Sequence, residues 1–214
     1  RVADQRVGYF SQRVTDMSTY DNYPQRDLIN RWRLVKKDPD AELSEPVNPI
    51  VFWVEKSTPE EIKPMVVKGI EAWNFAYERA GFKNAVVAKI QPDDAEWDAG
   101  DIRYNVVRWS SSPEPGFSGY GPSIGNPRTG ELIAADIVQE FNAIKRGYNY
   151  RKIWGWTPES DPLEQWIVSL TMHEVGHTIG LRHNFSASYL WGPKEVHDIS
   201  ITGDSTIASI MYYD

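Results

Sequence analysis

The chain has 214 residues, 41% of them hydrophobic, so it is long enough to bury a substantial core in one domain with two lobes. Its 23 basic and 30 acidic residues give a net charge of −7, which argues against a nucleic acid as partner. The absence of cysteine excludes disulfide bonds, and no apolar run approaches the ~20 residues that a membrane-spanning helix needs.

Residues 1–46 are polar and only weakly periodic, which predicts an extended linker or a segment that wraps around the domain. Within them, the alternation of apolar and basic residues at 31–35 predicts a strand. The sequence opens on Arg1 rather than on methionine, and we therefore expect it to be part of a larger polypeptide.

A buried strand followed by a long helix is predicted next. Residues 49–55 form a nearly continuous apolar run, as a buried strand does. Thr58 is a natural N-cap, Pro59 suits the first helical position, and Glu61 completes a capping box. Gly81 follows the last turn as a C-cap, so we expect a single helix between Thr58 and Gly81.

The middle of the chain predicts further strands. Residues 85–90 and 102–109 are two of them, and a strand, a helix and two strands in succession favour a largely parallel sheet. Residues 120–124 and 131–138 are extended on either side of the turn-forming residues 126–130. We interpret them as a hairpin whose first arm lies on the edge of the sheet.

A second long helix is predicted to begin near Asp161. Asp161 is the N-cap, Pro162 the first helical position, and Glu164 the capping-box partner. Its apolar content lets it lie buried across the sheet while it presents polar groups to a cleft. After residue 183 the chain is predicted to be loop-like.

Three of the four histidines lie in residues 173–183, which read H-E-x-x-H-x-x-G-x-x-H. His173 and His177 are four residues apart, so on a helix they share a face and can bind one metal ion. Glu174 lies about 100° further around the helix, so it can sit beside the metal without being a ligand. This spacing predicts a zinc site.

The end of this run supplies a third ligand. Gly180 can adopt a left-handed conformation without strain, so it ends the helix and turns the chain. The turn brings His183 to the same ion. Three protein ligands leave one tetrahedral position open, which is typical of a catalytic zinc ion, where water is activated for attack on a carbonyl. Glu174 is then the general base that accepts the proton of this water, and a peptide bond is hydrolysed.

The run resembles the zinc signature of the metzincin proteases, and residues 209–213 resemble their Met-turn. Within that clan, residues 173–185 are most similar to the met-zincin catalytic domain of large bacterial zinc-dependent metalloproteases. Asn184 follows the third ligand, where matrixins, adamalysins, astacins and serralysins have serine, aspartate, glutamate or proline. This difference separates the chain from those four groups but leaves the zinc chemistry unchanged.

The resemblance implies a fold class, α/β (α+β). We expect a twisted, mostly parallel sheet with an antiparallel edge strand, two long helices, and a small irregular C-terminal subdomain that ends at the Met-turn. The domain boundaries are then an N-terminal segment 1–46, a subdomain 47–183 with the zinc-binding helix, and a subdomain 184–214. An extracellular or periplasmic location follows from the family alone.

Further site residues are implied by the same resemblance. Met211 would lie beneath the zinc ion, and Tyr213 would ligate zinc in the resting enzyme or donate a hydrogen bond to the oxyanion. Substrate would bind as an added strand along the sheet edge. The residues that match this edge are Gly119, Tyr120, Gly121, Pro122, Ser123 and Ile124.

Three functions are considered for this sequence, and particular residues distinguish them. The first is a zinc endopeptidase that acts on proteins or peptides, with one catalytic zinc ion. The second is an inactive zinc-bound module with a binding or scaffolding role. Glu174 argues against it, because an inactive relative commonly loses its general base. The third is a gluzincin-type aminopeptidase, which would take a glutamate as third ligand where this chain has His183. His197 is predicted to be a surface or packing residue, and calcium is not predicted because no EF-hand or glycine-aspartate repeat is present.

Overall fold

A computed structural model describes residues 2–4, 8–153, 163–203 and 208–212 of the chain. Its strands are β1 (Ser11–Thr15), β2 (Gln25–Ile29), β3 (Ile50–Val54), β4 (Val86–Ile90), β5 (Asn105–Ser110), β6 (Gly119–Tyr120), β7 (Ser123–Gly125), β8 (Leu132–Ala135) and β9 (Ile137–Glu140). Its helices are α1 (Lys63–Glu71), α2 (Asn74–Arg79), α3 (Phe141–Ile153), α4 (Leu163–Thr178) and α5 (Ile199–Thr202), with a 3₁₀ helix at Phe185–Tyr189. No helix within the described ranges is long and apolar enough to cross a membrane.

The central sheet has five strands in the order β4-β3-β5-β9-β6. β3 pairs in parallel with β4 and β5, and β5 pairs in parallel with β9. β6 runs antiparallel to β9 and forms one edge. The predicted mostly parallel sheet with an antiparallel edge strand is therefore confirmed, and this mixed α/β architecture is compatible with a metzincin fold.

One face of this sheet forms the core with two helices. In β3, Ile50, Phe52 and Val54 are buried while the residues between them are only partly buried, because successive side chains of a strand point to opposite faces. The same hydrophobic cluster contains Val66 and Ile70 of α1. From α4 it contains Ile167 and Val175, so both helices are held against the sheet by apolar burial.

The predicted hairpin is present, with an irregularity in its middle. β6 pairs with β9, and β7 pairs with β8 as a separate two-stranded sheet. Between the two pairs, the backbone N–H of Asp136 donates to the carbonyl of Pro122 at 3.0 Å, so both arms stay together. The turn closes through the N–H of Gly130, which donates to the carbonyl of Asn126 at 2.8 Å.

The first predicted helix is wrong in its start and in its continuity. Thr58 is buried, and its N–H bonds the carbonyl of Glu55 in a turn, so it does not cap a helix. α1 begins at Lys63 without a side-chain cap, and Pro64 lies in its first turn, where the missing N–H costs little. A break at residues 72–73 separates α1 from α2, and Gly81 follows α2 with a φ of +87°.

Two other expectations for the helices need correction. α3 has 13 residues and was not predicted. The sequence predicts that the two long helices are α4 and the helix that follows β3. In the structure the two long helices are α3 and α4. The proposed cap residues of α4, Asp161 and Pro162, lie outside the described residues.

The N-terminal segment is more ordered than the sequence predicts. The expected strand at 31–35 is wrong, because only an isolated bridge between Arg31 and Glu131 occurs there. Instead, β1 and β2 form an antiparallel pair upstream. Just before β1, an isolated antiparallel bridge joins Tyr9 to Leu181, so this segment contacts the end of α4.

Candidate metal centre

α4 carries most of the predicted site and is fixed between α1 and the sheet. At Gly69 of α1 the two helices approach so closely that a Cβ atom would lie 2.6 Å from the Cβ of Thr171. On the sheet side, the buried amide of Gln139 donates to the hydroxyl of Thr171 at 2.6 Å. The same hydroxyl donates to the carbonyl of Ile167 at 2.7 Å. These contacts set the depth and rotation of α4 two residues before the first histidine.

The end of α4 forms a Schellman motif. The N–H of Leu181 donates to the carbonyl of Gly176 at 2.9 Å, and the N–H of Gly180 donates to that of His177 at 3.0 Å. Gly180 has a φ of +107°, the positive value expected of a helix-terminating glycine. The chain therefore reverses after His177 and returns His183 toward the helix.

The turn after α4 is supported by the N-terminal segment. The N–H of Phe10 donates to the carbonyl of Gly180, and the N–H of Arg182 donates to that of Gly8, at 2.8 and 2.7 Å. The Phe10 ring lies 5.8 Å from the His177 ring, measured between centroids. Sequence reasoning missed this contact, because it joins residues far apart in a segment without periodicity.

The three histidines of the run converge. The Nε2 atom of His183 lies 3.1 Å from the Nε2 atoms of both His173 and His177. Ligand atoms of the three residues lie within 4.8 Å of one another, so together they can hold one metal ion. Within the described ranges, this is the one group of three or more histidine or acidic residues that meets this criterion.

The other ring nitrogens orient two of these imidazoles. Nδ1 of His173 lies 2.7 Å from the carbonyl oxygen of Ile210, and Nδ1 of His177 lies 2.9 Å from that of Leu181. A carbonyl only accepts, so each Nδ1 carries the hydrogen and each Nε2 presents a lone pair to the shared point. Burial, followed by the neighbouring His177 and His173, lowers the pKa of His183, which favours the neutral form that binds metal.

These distances fit zinc. Zn–N bonds of about 2.0–2.1 Å in tetrahedral geometry place two ligating nitrogens about 3.3 Å apart. The two Nε2 separations of 3.1 Å from His183 are close to that value. Three imidazoles, two of which have Nδ1–H bonded to a backbone carbonyl, are also a donor set that zinc prefers.

Glu174 is the acidic group of the site. Its residue is only 5% exposed, and its Oε2 atom has no hydrogen-bond partner within the part of the chain that the structure describes. Burial raises the pKa of this carboxyl to about 7. A buried carboxyl without partners is costly for folding, and such groups are common in active sites.

Met211 lies beneath α4. It is 4% exposed, and a Cβ atom added at Gly176 would overlap its sulfur atom. In the surrounding turn the N–H of Tyr212 donates to the carbonyl of Ser209 at 3.1 Å, and the N–H of Asn184 donates to that of Met211 at 2.8 Å. The turn is thus joined to the residue after His183. Tyr213, the other residue expected here, lies outside the described residues.

A cleft of about 380 Å³ opens beside the histidines. It lies between α4, the edge strand β6 and the turn at 209–212, and His173 and Glu174 are part of its wall. Its apolar wall consists of Phe117, Trp166, Leu170 and Ile210, and Ser118 and Ser169 add hydroxyl groups. Sequence reasoning missed Phe117 and Trp166, which no motif marks.

The six residues expected to bind substrate follow one another along the edge hairpin. Gly119 and Tyr120 form β6, Gly121 and Pro122 lie at the irregularity, and Ser123 and Ile124 begin β7. Gly119 lines the cleft. Pro122 and Ile124 instead line a smaller cavity of about 150 Å³ beside Asp136, so the structure brings only the first part of this segment to the histidines.

His197 does not join the site. It is exposed and lies in the turn before α5, where Asp198 caps the helix by accepting the N–H of Ser200 at 2.9 Å. It is not part of the metal-binding group of the described residues. Of the two predicted places for His197, on the surface or in packing, the structure shows the surface.

Comparison with known proteins gives one match. Residues 159–214, about a quarter of the chain, match the family model described as Met-zincin. No curated protein and no solved structure matched the chain. The matched segment contains the three converging histidines, Glu174 and Met211. Residues 159–214 are therefore similar to the Met-zincin family, and this similarity together with the three histidines supports a zinc metalloprotease domain of the metzincin type.

Proposed function

We propose that the chain is a zinc-dependent endopeptidase that hydrolyses internal peptide bonds of proteins. The observation that carries this proposal is the convergence of three histidine Nε2 atoms next to a buried carboxyl group at the wall of an open cleft. The Oε2 atom of this carboxyl group has no hydrogen-bond partner among the described residues. A structural zinc site has four protein ligands and needs neither the carboxyl group nor the cleft.

Each residue of the site has a separate role in this proposal. His173, His177 and His183 would hold the ion, which would supply Lewis-acid chemistry for the scissile carbonyl and for water. Glu174 accepts a proton from water and donates it to the leaving amine. Its raised pKa, about 7, suits a group that must both accept and release a proton near neutral pH.

The edge of the sheet offers a binding surface for the peptide backbone. The carbonyls of Ser118 and Pro122 accept hydrogen bonds from Glu140 and Asp136 across the hairpin. Because peptide groups alternate in direction along an antiparallel strand, those of Gly119 and Gly121 face the open edge. A substrate strand can pair with them, and the backbone then provides affinity without selecting a sequence.

The cleft would receive one side chain of the substrate. The apolar side chains in its wall and its volume of about 380 Å³ favour a large apolar residue. A role for Tyr213 in holding the oxyanion and an extracellular or periplasmic location remain part of this proposal on the family resemblance alone.

The experiment compares zinc-loaded wild type with Glu174→Gln on a peptide library, read by mass spectrometry, with bound zinc measured in both proteins. We expect internal cleavages by wild type and a loss of at least about 100-fold in kcat for the variant, at equal zinc content, because the general base is removed. Equal rates for both proteins would exclude Glu174 as the base. Zinc binding without any cleavage by wild type would favour the alternative, a zinc-bound module with a binding or scaffolding role.

A further inference from the structure

Two glycines of the edge hairpin lie directly against Glu174. A Cβ atom built on Gly119 would lie 2.6 Å from Oε1 and 2.9 Å from Cγ of Glu174, and 2.9 Å from Cδ1 of Leu170. A Cβ atom on Gly121 would lie 2.7 Å from the backbone carbonyl oxygen of Glu174 and 3.2 Å from Oε2. Real Cβ atoms do not approach other atoms below about 3.0 Å, so neither position accepts a side chain while Glu174 keeps its place.

The need for glycine at these positions does not come from the backbone. Neither Gly119 nor Gly121 has a positive φ, whereas Gly81, Gly130, Gly180 and Gly203 do. An L-residue can therefore adopt the conformation of both without strain. The missing side chains leave space for the helix residue opposite them.

The two glycines act from the same face of the strand. Residues two apart in an extended strand point their Cβ positions to one side, and here that side is the one on which α4 carries Glu174. Between them, Tyr120 points the other way and is 59% exposed. The glycines thus form a slot that holds the carboxyl group between the strand and the helix, and we call it the glycine slot.

Within the described part of the chain, no hydrogen bond fixes the Oε2 atom of the carboxyl group. Oε2 of Glu174 has no partner within the described ranges, although the residue is almost entirely buried. An oxygen atom without a hydrogen bond is held in place by packing. The backbone of Gly119, whose Cβ position lies 2.6 Å from Oε1, is a neighbour that limits how far the carboxyl group can rotate.

We propose that Gly119 and Gly121 are positioning residues that hold the Glu174 carboxyl group at the cleft wall by leaving a slot between the edge strand and α4. The contact itself does not depend on the activity, but its consequence for catalysis rests on the function proposed above. A methyl group at residue 119 would displace the carboxyl group, and a displacement of about 1 Å is enough to slow a proton transfer strongly.

A thermodynamic cycle tests the contact without using the activity. Gly119→Ala is made in wild type and in Glu174→Ala, and thermal unfolding is followed in zinc-containing buffer with bound zinc measured for each protein. We expect Gly119→Ala to lower the Tm of wild type by roughly 4 °C or more, and to lower that of Glu174→Ala by less than half as much. Equal losses in both backgrounds would overturn the proposal, because the steric conflict would then lie elsewhere.

The matched control is Gly116→Ala. Gly116 precedes the same strand, but a Cβ atom there meets nothing within 4 Å, and its φ is not positive. We therefore expect no loss of Tm in either background. If Gly119→Ala does not fold, the test is whether adding Glu174→Ala restores folding. A folded double variant supports the glycine slot, and a double variant that does not fold refutes it.

Kinetics then distinguish a positioning role from a structural one. With zinc content equal to wild type, Gly119→Ala should lower kcat about 10-fold or more while KM changes little, because the substrate strand still pairs with an unchanged backbone. Gly116→Ala should match wild type in both constants. An unchanged kcat in Gly119→Ala would overturn the catalytic part. If wild type cleaves no peptide, the proposed function fails and the thermodynamic cycle still decides whether the slot exists.

Discussion

Whether a histidine of this chain can bind a metal ion depends on the groups around its ring. His173 and His177 have Nδ1 atoms directed at backbone carbonyls, which leaves their Nε2 atoms to converge with that of His183. His197 has the same side chain but lies exposed and apart from this group. The pair His183 and His197 therefore offers a matched comparison of a ligand with a non-ligand.

We predict that His183→Ala lowers the affinity for zinc by at least about 100-fold, since loss even of outer-shell partners of a metal ligand costs about 10–100-fold. His197→Ala should bind zinc as wild type does. Competition with a chromophoric chelator measures both dissociation constants. Unchanged affinity in His183→Ala would remove this residue from the metal site, and a loss in His197→Ala would show that the site extends beyond the three histidines.

Besides Gly119 and Gly121, three further glycines serve the site. Gly69 lets α1 approach α4 at Thr171, Gly176 leaves room for the sulfur of Met211, and Gly180 turns the chain toward the third histidine. Only Gly180 is required by its backbone conformation, because the other two lie in helices. The helix bearing the histidines is thus fitted by small residues to the elements on either side of it.

Among the elements, the N-terminal segment has the least expected role. It reaches the metal centre through the N–H of Phe10 on the carbonyl of Gly180 and through the ring of Phe10 beside His177. Trp32, further along, donates its indole N–H to the carbonyl of Thr178 at 2.9 Å. Two points of this segment therefore hold the last turn of α4, from which the chain leaves for His183.

We predict that Phe10→Ala lowers the affinity for zinc by about 10-fold, because the apolar group that limits rotation of the His177 ring is lost while the backbone hydrogen bond remains. Tyr20→Ala serves as the control, since Tyr20 is fully exposed at the tip between β1 and β2. The measurement is zinc affinity together with the visible spectrum of the cobalt-substituted protein, which reports the ligand geometry. The same affinity and spectrum in both variants would contradict a supporting role for Phe10.

The elements differ in how well the sequence predicts them, and the reason is the range of the interactions that form them. The run at 173–183 predicts a helix, a turn and a third ligand, because each step depends on residues within one or two helical turns. The edge hairpin was predicted from the turn residues 126–130, which also act locally. For both, local chemistry and tertiary structure agree.

Where tertiary contacts decide the local structure, the sequence-based prediction was wrong or no prediction was made. The capping box at Thr58 is locally convincing, but Thr58 is buried in a turn and α1 starts later, at Lys63. α3 has little apolar periodicity and was missed. The slot that receives Glu174 was also missed, because Gly119 and Gly121 were interpreted through their backbones as substrate-binding residues rather than through the space they leave.

In the whole molecule, the point where the three histidines converge links regions that are distant in sequence. The three histidines come from α4 and from the turn that follows it. The carbonyl of Ile210 holds His173, and Phe10 bonds Gly180 in the turn after α4. α4, the turn at 209–212 and the N-terminal segment therefore meet at this point. An ion bound there stabilises contacts between all three, and its removal weakens them together.

We therefore predict that zinc raises the Tm of the chain strongly. At a free zinc concentration of about 1,000 times Kd, binding contributes about 4.1 kcal/mol, which for a chain of this size corresponds to roughly 8–16 °C. Thermal unfolding with zinc and with EDTA measures the difference. Glu174→Gln should keep the full shift, because it removes no ligand, whereas His183→Ala should lose most of it. A Tm that does not respond to zinc would mean that the three histidines do not bind it in the folded chain, and the function proposed for the site would fail with it.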